Sequence, residues 1–350
     1  MFITSDIYVF IAMLSSFFAF FVKKNKFGKM MYFCSFLVVV IFAAIRKNVS
    51  ADYSNYIGNF INIGINGGGA RIEPGYWLLN RIVGLFTSNL NAIIIVTSII
   101  TFSILFKIIR EYSVMPALSV LFLFVLRDYE MLICLIRQGI ALAIIAYSFK
   151  YLVKDEYLKY FVLVIIASSF HYSAIIFLLI FKILNKKMEM HDISIFIFIG
   201  ITIFFARFSL GFLESFIHSE YYSSLVSLIS EPGPVYLKQA MLNFFILILS
   251  ISKYKQMLKE TEYSVILVNI LFLNTVMSFS LLGLNLAYRF VIYFDFFNIL
   301  LYPLLIKVYI PSKIPRILIT LLISIFLIIR FYQLLPISMY MPLPYQTIFN

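Results

Sequence analysis

Residues 160–184 read YFVLVIIASSFHYSAIIFLLIFKIL, an apolar run broken near its middle by SSFHYSA at 168–174. A full membrane crossing needs about 20 apolar residues, so the run admits two readings. It is either two helices of about 15 residues meeting at the polar stretch, or one long tilted span. The two-helix reading leaves the junction below the membrane surface, where broken backbone is tolerated only under protein cover or beside a watery cavity. In either case His171 sits in a chain made to cross a bilayer.

The rest of the sequence agrees. Its 350 residues are 63% hydrophobic and only 13% charged, with a mean hydropathy of +0.99, against roughly 25% charge in an ordinary soluble domain. Apolar runs recur from end to end with no polar block long enough for a separate soluble domain, so residues 1–350 read as a single transmembrane domain. The N-terminus is apolar first and basic afterwards, the reverse of a secretory signal, and is expected to be a retained span. Cys34 and Cys134 both lie in apolar runs and read as small hydrophobes. The formal charge of +12 reflects topology more than nucleic-acid binding, for which nothing else in the chain argues.

Lysines cluster at 23–29, 150–159, 182–187, 253–259 and 307–313, which the positive-inside rule places in the cytoplasm. Alternating between these clusters gives about twelve spans: 3–22, 30–45, 90–109, 114–127, 131–150, 156–170, 172–185, 192–206, 236–252, 263–284, 286–306 and 317–335, with both termini outside. The expected fold is therefore an all-α polytopic membrane protein with short or re-entrant helices. Outer loops are expected at 46–75 and 207–235. EPGYWLLNRIVGLF, beginning at Glu73, reads as an interfacial or re-entrant helix with proline near its N-terminus.

On this map Arg46, Arg71, Arg81, Arg127, Arg137, Arg207, Arg289 and Arg330 fall at or just below the outer face, and only Arg110 and Arg316 do not. The positive-inside bias predicts the opposite, so the outer arginines need a cause. A guanidinium offers a planar fork of donors suited to phosphate oxygens. Arg137 and Gln138 in CLIRQGIALAI, and Arg289 in LAYRFVIYF, lie within apolar helices, where a charge faces a cavity or a partner. An outer-leaflet pyrophosphate would suit them. The plainer reading is pairing with acids, as for Arg127 beside Asp128 and Glu130, or snorkelling to headgroups. Asp295 is a plausible counter-ion for Arg289. RDYE at 127–130 is a weak divalent-metal signal, and no zinc set, nucleophile elbow or dinucleotide fingerprint occurs. His171 reads either as a junction histidine bonding free backbone carbonyls or as a general acid or base.

Several separated motifs then combine: Arg46 with Asp52 and Tyr53, EPGYWLLN from Glu73 to Asn80, IRQGIA from Ile136 to Ala141, FHYSA from Phe170 to Ala174, YRF from Tyr288, and PYQTIF from Pro344. In order and position they resemble the EpsG family of Wzy-type polysaccharide polymerases. The resemblance implies a multi-pass enzyme of the bacterial inner membrane with a GT-C-like fold and an active site facing the periplasm. It would be an inverting, metal-independent glycosyltransferase without cofactors. It would transfer a growing O-antigen, capsule or exopolysaccharide glycan from undecaprenyl pyrophosphate to a lipid-linked repeat unit. A chain-length regulator and a flippase are the implied protein partners. On this reading Arg46, Arg127, Arg137, Arg207 and Arg289 would hold the pyrophosphate. His171, Asp52 or Glu73 would take the acceptor proton, and Tyr53, Tyr76, Asn80, Gln138 and Tyr172 would hold glycan. An O-antigen ligase or a lipid-linked oligosaccharide flippase are the alternatives.

Overall fold

The computed structural model describes residues 4–23, 25–186, 234–280, 288–338, 340 and 342–349, with isolated positions 194, 197, 200 and 201. Arg207 and the expected loop 207–235, as far as residue 233, lie outside the described residues; Pro234 begins a helix. Among those described, regular structure is helical throughout. Helices α1 (Ser5–Phe20), α2 (Lys26–Ala44), α3 (Tyr53–Asn59), α4 (Pro74–Phe86), α5 (Ala92–Tyr112), α6 (Pro116–Val125), α7 (Asp128–Cys134), α8 (Ile136–Val153), α9 (Tyr157–Phe170) and α10 (Ile176–Leu184) come first. They are followed by α11 (Pro234–Ser252), α12 (Tyr254–Glu260), α13 (Ser264–Ser280), α14 (Tyr288–Asp295), α15 (Asn298–Tyr309) and α16 (Lys313–Leu334).

Five helical stretches are long and apolar enough to cross a bilayer: Lys26–Ala44, Ala92–Tyr112, Ile136–Val153, Arg289–Tyr309 and Lys313–Ile337. Shorter apolar helices include α1, α6 and α9. Large apolar side chains such as Phe10, Phe17, Leu318, Leu322 and Phe326 point outward, the surface a hydrocarbon solvent calls for. The chain is thus a helical, multi-pass membrane protein by composition and architecture.

Local chemistry explains the helix starts and the breaks. Asn25 caps α2 by accepting from the Gly28 amide at 2.8 Å. Proline opens both α4 and α6, where its missing N–H costs nothing. The 160–184 run divides as the two-helix reading requires, not as a single span: α9 ends at Phe170, His171 is extended, and a 3₁₀ turn, Tyr172–Ile175, leads into α10. The stretch expected as one helix over 131–150 is instead α7 and α8, separated at Leu135. Similarly, 286–306 contains α14 and α15 in succession. The loop expected over 46–75 holds α3 and a π-helical turn, Phe60–Ile65, because Tyr53, Tyr56 and Phe60 share one buried face.

The chain forms two compact units, Met1–Leu178 with Tyr302–Asn350, and Leu179–Leu301. In the first, α1 packs on α2 and α6, α2 on α5, α5 on α8, and α8 on α9, while α4 lies against the π turn and α9. An aromatic knot of Tyr8, Phe42, Tyr129 and Tyr345 ties α1, α2 and α7 to the C-terminal segment, with Phe42 and Tyr345 stacked at 4.2 Å. In the second unit α11 and α14 pack on α13. There Asp295 accepts hydrogen bonds from the amides of Asn274 at 2.7 Å, Asn243 at 3.3 Å and Gln239 at 3.4 Å.

Candidate active site

The site begins with EPG. Glu73 is the N-cap of α4 and Pro74 its first helical residue. Gly75 lets the helix start touch the end of α9: a Cβ there would lie 2.3 Å from Ser169 Oγ and 2.8 Å from the Ser169 carbonyl oxygen. Beneath them, Tyr53, Tyr56, Phe60, Tyr76, Ala92, Ile93 and Ile136 form a buried cluster with Phe170 packed against it. This cluster joins α3, α4, α5, α8 and α9 at one end of the first unit. It brings together three residues that are far apart in sequence.

Glu73 is only 4% exposed, and its two carboxylate oxygens have different partners. Oε1 lies 2.9 Å from His171 Nδ1, and Oε2 accepts from Arg137 Nη1 at 2.5 Å. Burial alone would raise the Glu73 pKa; the hydrogen bond from His171, a backbone amide and the Arg137 charge outweigh it and hold the carboxyl below its ordinary value. A carboxylate facing Nδ1 selects the tautomer with the proton there, leaving the Nε2 lone pair as the basic position. The His171 side chain keeps 15% of its surface exposed and that of Arg137 keeps 30%. Both therefore reach beyond the carboxylate that orients them. The Arg137 guanidinium also lies 5.9 Å from the centre of the buried Tyr76 ring.

The break at Leu135 sets where Arg137 stands. In an unbroken helix over 131–150 it would occupy the second turn; here it lies in the first turn of α8. The last carbonyls of α7 lack helical partners, and Arg46 supplies one: its Nη2 donates to the Ile133 carbonyl at 2.9 Å. Arg46 Nη1 donates to the Ala43 carbonyl and to Ser98 Oγ, the latter at 3.1 Å. At 1% exposure, Arg46 is a brace inside the protein, whereas the sequence reading placed it on a pyrophosphate. Its segment is held in turn by the C-terminal residues: Lys47 N–H donates to the Gln346 carbonyl at 2.9 Å and Ile348 N–H to that of Ile45 at 2.8 Å. Just beyond, Asn48 and Ser50 adopt left-handed backbone at φ 52° and 89°, strain that persists only where surroundings impose it.

Other expected residues are placed differently. Arg127, itself left-handed at φ 76°, pairs with Glu130 and donates to Ser338 Oγ at 2.8 Å, the acid pairing that its neighbours suggest. Asp52 accepts from Asn55 Nδ2 at 3.3 Å and does not touch the Glu73 carboxylate. Tyr53, Tyr76, Asn80 and Gln138 are buried. Tyr53 donates to Asn91 Oδ1 at 2.7 Å, and Asn80 Nδ2 donates to the Tyr76 carbonyl at 2.7 Å. All four were expected to hold glycan; their side chains pack beneath the Glu73 site. Tyr172, beside His171, is 61% exposed and presents an open ring. Arg289 belongs to the second unit. Sequence reading named Glu73, Arg137 and His171 separately; it missed their shared hydrogen bonds, Gly75 as the point of close approach, and the helix break.

Among the described residues no cluster of three or more His, Cys, Asp or Glu side chains is arranged to hold a metal ion. The family model described as EpsG family matches residues 29–347. No curated protein and no solved structure matches the chain.

Proposed function

The chain belongs to the EpsG family, and from that membership we propose that it is a polysaccharide polymerase that transfers a glycan from a polyprenyl diphosphate to a lipid-linked repeat unit. The Glu73 carboxylate shared between His171 and Arg137 carries this reading. Glycosyl transfer from a diphosphate needs a base for the acceptor hydroxyl and positive charge at the departing phosphate. Glu73 fixes one candidate for each, side by side.

In the proposed step the acceptor oxygen attacks the anomeric carbon from the face opposite the diphosphate. The new C–O bond forms as the bond to the diphosphate oxygen breaks, with inversion. His171 Nε2 takes the hydroxyl proton, and Glu73 stabilises the resulting imidazolium through Nδ1. Arg137 neutralises charge developing on the lipid diphosphate, which departs with the bonding electrons. Arg289 and Arg207 are further candidates for that diphosphate, and Tyr172 for stacking on a sugar ring. On this reading proton transfer and charge neutralisation fall to side chains, in a metal-independent reaction without cofactors.

The wider reading is a GT-C-like protein with about twelve crossings, in the bacterial inner membrane with this site toward the periplasm. A flippase would supply its substrate and a chain-length regulator would act beside it. Complementation of a polymerase-deleted strain tests the site. Arg137→Ala and Arg137→Lys should both collapse the polysaccharide ladder at normal protein level, since a point charge does not replace a bidentate fork. His171→Ala should lower polymer yield about 100-fold or more. Full-length ladders from all three variants would refute the assignment.

A further inference from the structure

At the other end of the first unit lies a second site. A cavity of about 760 Å³ opens between the turn after α1, the start of α2, the end of α5 and Pro116. Four cations line it, Lys23, Lys29, Lys107 and Arg110, against one acid, Glu111. Among the described residues none of the four has a carboxylate within ion-pair distance. The cations come from three separate segments, so they converge by folding rather than by sequence adjacency.

Two of them are held in place. The Arg110 guanidinium lies 6.0 Å from the centre of the Tyr32 ring, and the Tyr32 hydroxyl is fixed by donating to the Phe106 carbonyl at 2.6 Å. Lys107 Nζ donates to the Tyr147 hydroxyl at 3.2 Å. Beyond the charges the wall turns apolar with Val22, Phe33, Phe36 and Phe106, and Phe33 is 55% exposed along the flank of α2. A ligand filling this cavity has an anionic head and an apolar body. The lysines mark this end as the cytoplasmic one. It is about 30 Å from the Glu73 site, since α5 is 21 residues long and reaches both.

We propose that this cavity binds the phosphate headgroup of an anionic phospholipid of the inner leaflet, with its acyl chains along α2. Phosphate is the shared chemistry of a lipid and a soluble phosphate compound; the aromatic wall favours the lipid. Each cation contributes about fivefold in affinity at such a surface. Native mass spectrometry of the purified full-length chain, titrated with phosphatidylglycerol or phosphatidylethanolamine, tests it. The wild type should retain phosphatidylglycerol preferentially, and the triple variant Lys29→Gln, Lys107→Gln, Arg110→Gln should bind it about 100-fold more weakly. Glu111→Gln, which removes the only acid of the cavity, should bind about fivefold more tightly and serves as a variant that leaves the four cations in place. Equal retention of the two lipids, or phosphatidylglycerol binding unchanged in both variants, overturns the proposal. Thermal stabilisation by inorganic phosphate alone, with no preference between lipids, assigns the cavity to a soluble phosphate and overturns the lipid reading.

Discussion

Glu73 is the residue on which the site turns. Its carboxyl sits below its ordinary value, so its ion pair and hydrogen bonds contribute stability that is fully present above the unfolded-state pKa near 4.5. That contribution is lost as the pH falls through the lowered native value. Melting curves of purified wild type and Glu73→Gln should therefore differ most at neutral pH and converge as the pH drops below about 4.5; a constant difference across that range would remove the coupling. FHYSA and EPG stood out in the sequence because a histidine and an acid interrupt apolar or glycine-rich surroundings. Their contact was not legible, since Glu73 and His171 are 98 positions apart and no local periodicity reports a side-chain pairing of that range.

Between residue and molecule, the helices show where local rules end. The break at His171 was readable because serine, histidine and tyrosine interrupt hydrocarbon side chains. The break at Leu135 was not: MLICLIRQG has no proline or glycine before Gly139 to mark it, and the free Ile133 carbonyl finds its partner in Arg46, far upstream. Arg46→Lys should cost about 1–3 kcal/mol, the penalty for a buried polar group left unsatisfied, read as a lower melting temperature together with weaker polymerisation. An unchanged melting temperature would mean that Arg46 is not the brace. Gly75→Ala is the sharper probe, because its Cβ would press on the Ser169 backbone carbonyl as well as on the Ser169 Oγ. Overpacking at that contact should destabilise by about 1–3 kcal/mol and separate Glu73 from His171, giving a shortened ladder. The α3 segment escaped a loop-minded reading because its polar and glycine residues diluted a buried face of Tyr53, Tyr56 and Phe60.

At the largest scale, the first unit gathers Lys23, Lys29, Lys107 and Arg110 at the end away from the Glu73 cluster. In the first unit α2 begins beside Lys26 and Lys29 and finishes beside Arg46, while α5 begins in the Glu73 cluster and finishes at Lys107 and Arg110. That polarity was readable from lysine and arginine spacing alone, as was the helical membrane class. The division into two compact units was not, because apolar helices carry no sequence mark of which neighbours they choose. The central claim, that the chain lengthens a lipid-linked glycan with its own side chains, is tested most directly by reconstitution. Purified protein in liposomes, given a polyprenyl-diphosphate-linked repeat unit, should produce a ladder of longer lipid-linked glycans. The ladder should persist in EDTA and disappear with Arg137→Lys. Movement of the lipid across the bilayer without lengthening, or lengthening that stops on chelation, would contradict the account.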